Sequence, residues 1–120
     1  MLRVLLLDDE PLITMVLEDI LAQLGHETVG PAHTVADALG LIDSIPPDAA
    51  ILDVNLSKEM SYPVAEVLRA RGIPFMFATG YVAHGVDLRF RHELVVAKPF
   101  DFETIRHALS HLLEPNHLRK

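Results

Sequence analysis

Four short stretches of the chain are apolar without interruption: Val4–Leu7, Ala49–Leu52, Phe75–Ala78 and Leu94–Ala97. None alternates with period two, and continuous runs of this length are how strands covered on both faces of a parallel sheet read. His26–Gly30, HETVG, is a weaker fifth strand that belongs nearer an edge. Between the runs the apolar positions recur at three and four, the helical spacing. Ile13, Val16, Leu17, Ile20, Leu21 and Leu24 predict a first helix stopped by Gly25. Val35, Ala38, Leu39 and Ile42 predict a second, with Thr34 as its cap and Asp37 three residues on. Pro63 opens a third through Val64, Val67 and Leu68, with Gly72 behind it. Asp101 caps a strong last helix over Ile105, Ala108, Leu109, Leu112 and Leu113, and Pro115 ends it. Ala83–Arg91 is the poorest helical stretch, because Gly85 interrupts it and its apolar positions are sparse.

Five strands alternating with helices predict a (βα)5 flavodoxin-like α/β fold, a doubly wound parallel sheet in strand order 2-1-3-4-5. A chain of 120 residues has room for one core, so residues 1–120 are read as a single domain whose last helix ends near 113 before a short tail. Half of the residues are apolar, yet no run reaches the roughly 18 that a membrane span requires. The start, MLRV, has one positive charge and no small-residue cleavage site behind it, so no signal peptide is expected. The lack of cysteine fits a cytoplasmic protein by removing the disulfide argument for secretion. A formal charge of −7 with scattered Lys and Arg argues against nucleic acid or a membrane as partner, and for a protein or a small cationic ligand. A monomer or weak homodimer is expected.

The placement of the acids changes the picture more than their number. In open α/β sheets, ligands sit beyond the carboxyl ends of the strands. Strand one delivers Asp8, Asp9 and Glu10 there, strand three Asp53 and Asn55, strand four Thr79 and Gly80, and strand five Lys98 and Pro99. Singly, each has an ordinary use: a carboxylate after a strand caps a helix or sits in a solvated loop, and a lysine lies on the surface. Their convergence at one end of one sheet is what points to chemistry. Carboxylates about 5 Å apart repel by about 3 kcal/mol per pair at an effective dielectric near 20. Lys98 supplies one compensating charge, and adjacent carboxylates with a carbonyl at Asn55 form an all-oxygen pocket suited to Mg²⁺. A metal ion, an ammonium and a hydroxyl around one aspartate suit a phosphoryl guest, with the aspartate able to act as nucleophile.

The blocks LLLDDEP, AAILDVNL, FATG and VAKPF resemble those of the receiver domain of bacterial two-component response regulators, over essentially the whole chain. The resemblance implies that Asp53 is the phosphoacceptor, charged by a histidine kinase or histidine phosphotransfer protein. It implies that Asp9 binds Mg²⁺ directly, that Asp8 acts through water or charge, that Asn55 offers its backbone carbonyl, and that Asp53 belongs to the same metal set. By the same resemblance Thr79 and Lys98 hold phosphoryl oxygens, and the Lys98–Pro99 peptide is cis. Output is implied to be protein contact through the last helix, strand five and the segment before it. Glu10 has no fixed part in the scheme and either neighbours the metal or just precedes helix one. The implied function is a stand-alone receiver in a phosphorelay, an enzyme only towards its own phosphorylation and dephosphorylation.

The chain also departs from the family pattern. Most receivers carry Tyr or Phe three residues before the strand-five lysine, a ring that swings inward on phosphorylation, and here that position is Val95. PFMFATGY, Pro74 to Tyr81, resembles instead a subgroup of mostly single-domain receivers named for a Phe-Ala-Thr-Gly motif and linked to bacterial stress signalling. Tyr81, which follows Thr79 and Gly80, is the candidate gate over the phosphate, with a half-exposed loop aromatic as its alternative use. The loop NLSKEMSYP after Asp53 lacks the family's common proline and glycine. Phe90 and Phe100 flank strand five and serve either the partner face or the core. His107 and His111, at i and i+4, read as part of a solvated helix face.

Three rival classes use related residues. A phosphatase of the haloacid dehalogenase type needs an Asp-x-Asp pair on strand one, whereas Asp8 and Asp9 are adjacent. A flavodoxin-like cofactor binder needs a hydroxyl- and glycine-rich phosphate loop there, where DDEP would repel the phosphate. A pseudo-receiver that binds partners without phosphorylation keeps its place as the alternative, because the acceptor residues are present but the switch is altered.

Overall fold

Continuous apolar strands need cover on both faces, and the chain supplies it. The computed structural model describes residues 1–80 and 86–114. Five strands, β1 (Arg3–Leu7), β2 (Glu27–Ala32), β3 (Ala49–Leu52), β4 (Phe75–Thr79) and β5 (Leu94–Ala97), form one sheet in the order β2-β1-β3-β4-β5. Every pairing is parallel. Four helices cover it: α1 (Pro11–Gln23), α2 (Val35–Ser44), α3 (Tyr62–Ala70) and α4 (Phe102–Leu112). This is the doubly wound order expected.

Strand side chains alternate between the two cores. Leu5, Leu7, Ala50, Leu52, Phe75 and Phe77 pack with Ala38 and Ile42 of α2 and with Val64, Ala65 and Leu68 of α3. Val4, Leu6, Ala49, Ile51, Met76 and Ala78 turn the other way, onto Leu17 and Leu21 of α1 and Ile105 and Leu109 of α4. Full burial of a Leu-sized side chain contributes about 1.5–3 kcal/mol, so β1, β3 and β4 are held from both faces, while the edge strands are held from one, β2 through Val29 and Ala32 and β5 through Val96.

The helix ends follow their local chemistry. Thr34 Oγ1 accepts the Asp37 N–H at 3.1 Å, and Asp101 Oδ1 accepts the Thr104 N–H at 2.8 Å. Gly25, at φ 82°, turns α1 off its axis and puts the His26 N–H onto the Leu21 carbonyl at 2.8 Å. Strand β2 lies at the edge, as expected, but runs two residues past Gly30 to Ala32. Gly30 has φ 96°, and a Cβ there would lie 2.7 Å from the Ala32 nitrogen. Only glycine lets the strand continue through that register shift.

The connection from β4 to β5 contains, among its described residues, a single 3₁₀ turn, Leu88–Phe90. Phe90 is buried, stacked on Tyr62 at 5.4 Å and edge-on to Phe77 at 6.0 Å. Of its two expected uses, core packing is the one observed. Phe100 is partly buried against the α1–α4 core. Among the described residues no helix is long and apolar enough to cross a membrane.

Candidate functional site

Sheet register gathers the site. Leu7 pairs with Leu52, and Thr79 pairs with Ala97. The residues that follow, Asp8, Asp53 and Lys98, therefore leave the sheet along one edge. Two backbone bonds fix their exit: Asp53 N–H to the Leu7 carbonyl at 2.8 Å, and Lys98 N–H to the Thr79 carbonyl at 3.0 Å. The Lys98–Pro99 peptide is cis, as the resemblance implied.

Lys98 Nζ donates to Asp8 Oδ2 at 2.7 Å, to Asp53 Oδ2 at 3.1 Å and to Glu10 Oε1 at 3.3 Å. Asp8 and Asp53 are buried, whereas Glu10 is exposed and stands as the N-cap residue of α1. Asp8 Oδ1 also accepts the Glu10 N–H at 2.9 Å. Burial pushes the Asp8 carboxyl above its ordinary 3.8, against the Lys98 and Glu10 hydrogen bonds that lower it, and the Asp53 charge adds to the rise. Burial pushes Lys98 down, but the Asp8 hydrogen bond and the charges of Asp53 and Asp8 outweigh it and hold the ammonium above 10.5. The two directions agree physically. One ammonium faces several acids, so it is held charged while the most buried acid is left short of positive charge.

Carboxylate oxygens of Asp8, Asp9, Glu10 and Asp53 all lie within 4.8 Å of one another. Four acids against one lysine, all with oxygen donors, make a set suited to a hard divalent cation. Asp9 is half-buried, and its Oδ2 accepts a hydrogen bond from the Ser57 hydroxyl. Asn55 is half-buried at the start of the β3–α3 loop, where its side-chain oxygen accepts the Ser57 N–H at 2.9 Å. The loop that lacks the family's proline and glycine closes as a small antiparallel turn, with an Asn55–Met60 bridge and the Leu56 N–H on the Glu59 carbonyl. Ser57 sits there at φ 71°, a conformation a proline ring cannot take.

Thr79 is buried at the end of β4, and Gly80 follows it exposed. Tyr81, the expected gate, lies outside the described residues. Val95 is 39 % exposed on β5, in the place of the usual aromatic ring. Two contacts were not anticipated from sequence: Ser57 on Asp9, and His33, whose Nδ1 lies 2.7 Å from the Asp8 carbonyl oxygen. Since a carbonyl only accepts, the His33 Nδ1 carries the proton. Asn-x-Ser, a local turn signal, could have marked Ser57 as a loop pivot, but nothing local could have named Asp9 as its acceptor.

Comparisons place this geometry among known proteins. The response regulator receiver domain pattern matches residues 4–110. The sensory transduction protein LytT of Bacillus cereus is 34 % identical over 110 residues, covering 88 % of this chain and 44 % of LytT, so the chain spans less than half of that relative's length. SdrG from Sphingomonas melonis Fr1, solved in solution, superposes with a TM-score of 0.84 at 50 % identity, covering 93 % of this chain and 96 % of SdrG. Thermotoga maritima TrrA, solved as a complex with Mg²⁺ and a beryllium fluoride, superposes with a TM-score of 0.82 at 28 % identity, covering 94 % and 100 % of the two chains.

Proposed function

The chain belongs to the response regulator receiver domain family, and from that premise we propose that it accepts a phosphoryl group on Asp53 in a Mg²⁺-dependent reaction. The observation that carries the reading is a buried Asp53 sharing the Lys98 ammonium with Asp8 and Glu10 at one end of the sheet. The acid cluster fits the cation: Asp9 and Asp53 would hold it with the Asn55 carbonyl, Asp8 acting through charge or water. When bound, Mg²⁺ supplies positive charge against the phosphoryl oxygens.

Lys98 holds Asp53 Oδ2, so the carboxylate is oriented before the donor arrives. A carboxylate oxygen attacks phosphorus, the Asp53 O–P bond forms, and the donor's P–N or P–O bond breaks with its electron pair leaving on the donor. The Lys98 ammonium then pairs with a phosphoryl oxygen and the Thr79 hydroxyl donates to another. In this reading the donor is a histidine kinase or a phosphotransfer protein, and the exchange takes place in the cytoplasm. Output runs through β5 and α4, where an open groove is lined by Val95, Thr104, His107 and His111.

The test is intact mass after incubation with Mg²⁺ and acetyl phosphate, with Asp53→Asn alongside. A gain of one phosphoryl group in the wild type that disappears in the variant is expected. An unchanged wild-type mass under both acetyl phosphate and a phosphohistidine donor would favour a phosphorylation-independent binding module instead.

A further inference from the structure

We propose that Ser57 is a positioning residue of the metal site, its hydroxyl orienting the Asp9 carboxylate for a divalent cation; this rests on the receiver reading above. Lys98 holds Asp8, Asp53 and Glu10, whereas Asp9 is held by a hydroxyl 48 residues away in sequence. The serine is itself pinned. Its N–H donates to Asn55 Oδ1, and among the described residues it is the one non-glycine with positive φ. Glycine would take that backbone with less strain, so what serine adds at this position is the hydroxyl.

A carboxylate has about four lone-pair positions. A donor on Oδ2 therefore leaves Oδ1 and further lone pairs for a cation while removing rotation about the Cβ–Cγ bond. Hydrogen-bond partners of metal-binding carboxylates act in this way, and losing one typically lowers metal affinity about 10–100-fold. Asp9 is the acid to which this matters most. Asp8 and Asp53 are buried and already fixed by the lysine, and Asp9 is the half-buried member that the strand ends leave to the loop.

The experiment is an amide NMR titration with MgCl₂ of wild type, Ser57→Gly, Ser57→Ala and Asp53→Asn, with thermal unfolding in metal-free buffer. Glycine and alanine both remove the hydroxyl, but only glycine relaxes the backbone. The expected result is an equal loss of Mg²⁺ affinity in both, about tenfold, with Ser57→Gly unfolding no lower than Ser57→Ala. Wild-type affinity in either variant would assign Ser57 a merely backbone role and overturn the proposal. Tighter binding would overturn it as well, by making the hydroxyl a competitor of the cation. A wild type without Mg²⁺-dependent shifts that Asp53→Asn weakens would remove the receiver reading of this pocket, and the proposal with it.

Discussion

Two ion-pair networks of this molecule use the same kinds of groups in opposite surroundings. The inner one centres on Lys98, whose side chain is 13 % exposed, with Asp8 and Asp53 at 3 % and 7 %. The outer one joins Arg69 to Glu93 at 2.8 Å, and Arg89 to Glu66 and Asp87, with both arginines about half exposed. Arg69 lies 4.4 Å from the Phe90 ring centroid, and Arg89 lies 5.4 Å from Phe90 and 5.9 Å from Tyr62. In the outer network Arg89, Glu66 and Asp87 are exposed enough for water to screen them, the Glu93 side chain is the one buried acid at 8 % exposure, and the guanidinium planes serve to cover an aromatic platform. In the inner network the apolar walls sharpen the charges and leave them unbalanced. An ion pair's surroundings, more than its geometry, set what the pair is worth.

The outer network rests on the buried Phe90 ring. Phe90→Ala should cost about 4 kcal/mol in urea unfolding, the range for emptying a buried aromatic site, while the phosphoryl gain from acetyl phosphate persists in the folded protein. Lys98→Met should cost about 3 kcal/mol, because it strands two buried carboxylates, and should also abolish the mass gain. Added Mg²⁺ should recover part of that stability by binding the folded state. Removal of an outer cation should be mild: Arg89→Ala is expected to lower the urea midpoint only slightly, with the loss reduced by salt.

Smallest is a contrast in pH slope. Asp8 has a folded pKa raised above 3.8 chiefly by burial, so the folded protein binds more protons than the unfolded one from 3.8 up to that raised value. Stability from Asp8 therefore falls as pH rises through that window. Asp87, lowered by the Arg89 N–H and guanidinium, contributes stability that is present above 3.8 and lost as pH falls through its folded value. Urea unfolding of wild type against Asp8→Asn and Asp87→Asn, from about pH 3 to 7, should show the two stability differences moving in opposite directions. Parallel slopes would dissolve the distinction between the networks.

Much of the frame was open to reading from residues alone. Buried parallel strands leave continuous apolar runs, so four of the five were plain, and β2 appeared with its edge position but two residues short. Its end was hidden because the local pattern of HETVG stops at Gly30, while the positive φ that carries the strand onward depends on the partner strand. Caps were legible because Thr34 and Asp101 bond within three residues of themselves. The acids and Lys98 were legible because a residue that follows a strand must leave at that strand's end. Phe90 was ambiguous, since its burial comes from Tyr62 on α3 and not from its own neighbours.

Sequence by itself determined the order of strands and helices, the cores' apolar members and the set of polar residues at one end of the sheet. Each of these follows from local spacing, which the chain carries along its length. Only the tertiary structure decided that one ammonium reaches Asp8, Glu10 and Asp53 together, that Ser57 closes on Asp9, and that His33 holds the Asp8 carbonyl. Those contacts join residues 25 to 90 positions apart, and no periodicity encodes them. They exist because strand register and loop closure bring distant groups within about 3 Å, the range where hydrogen bonding and charge discriminate between partners.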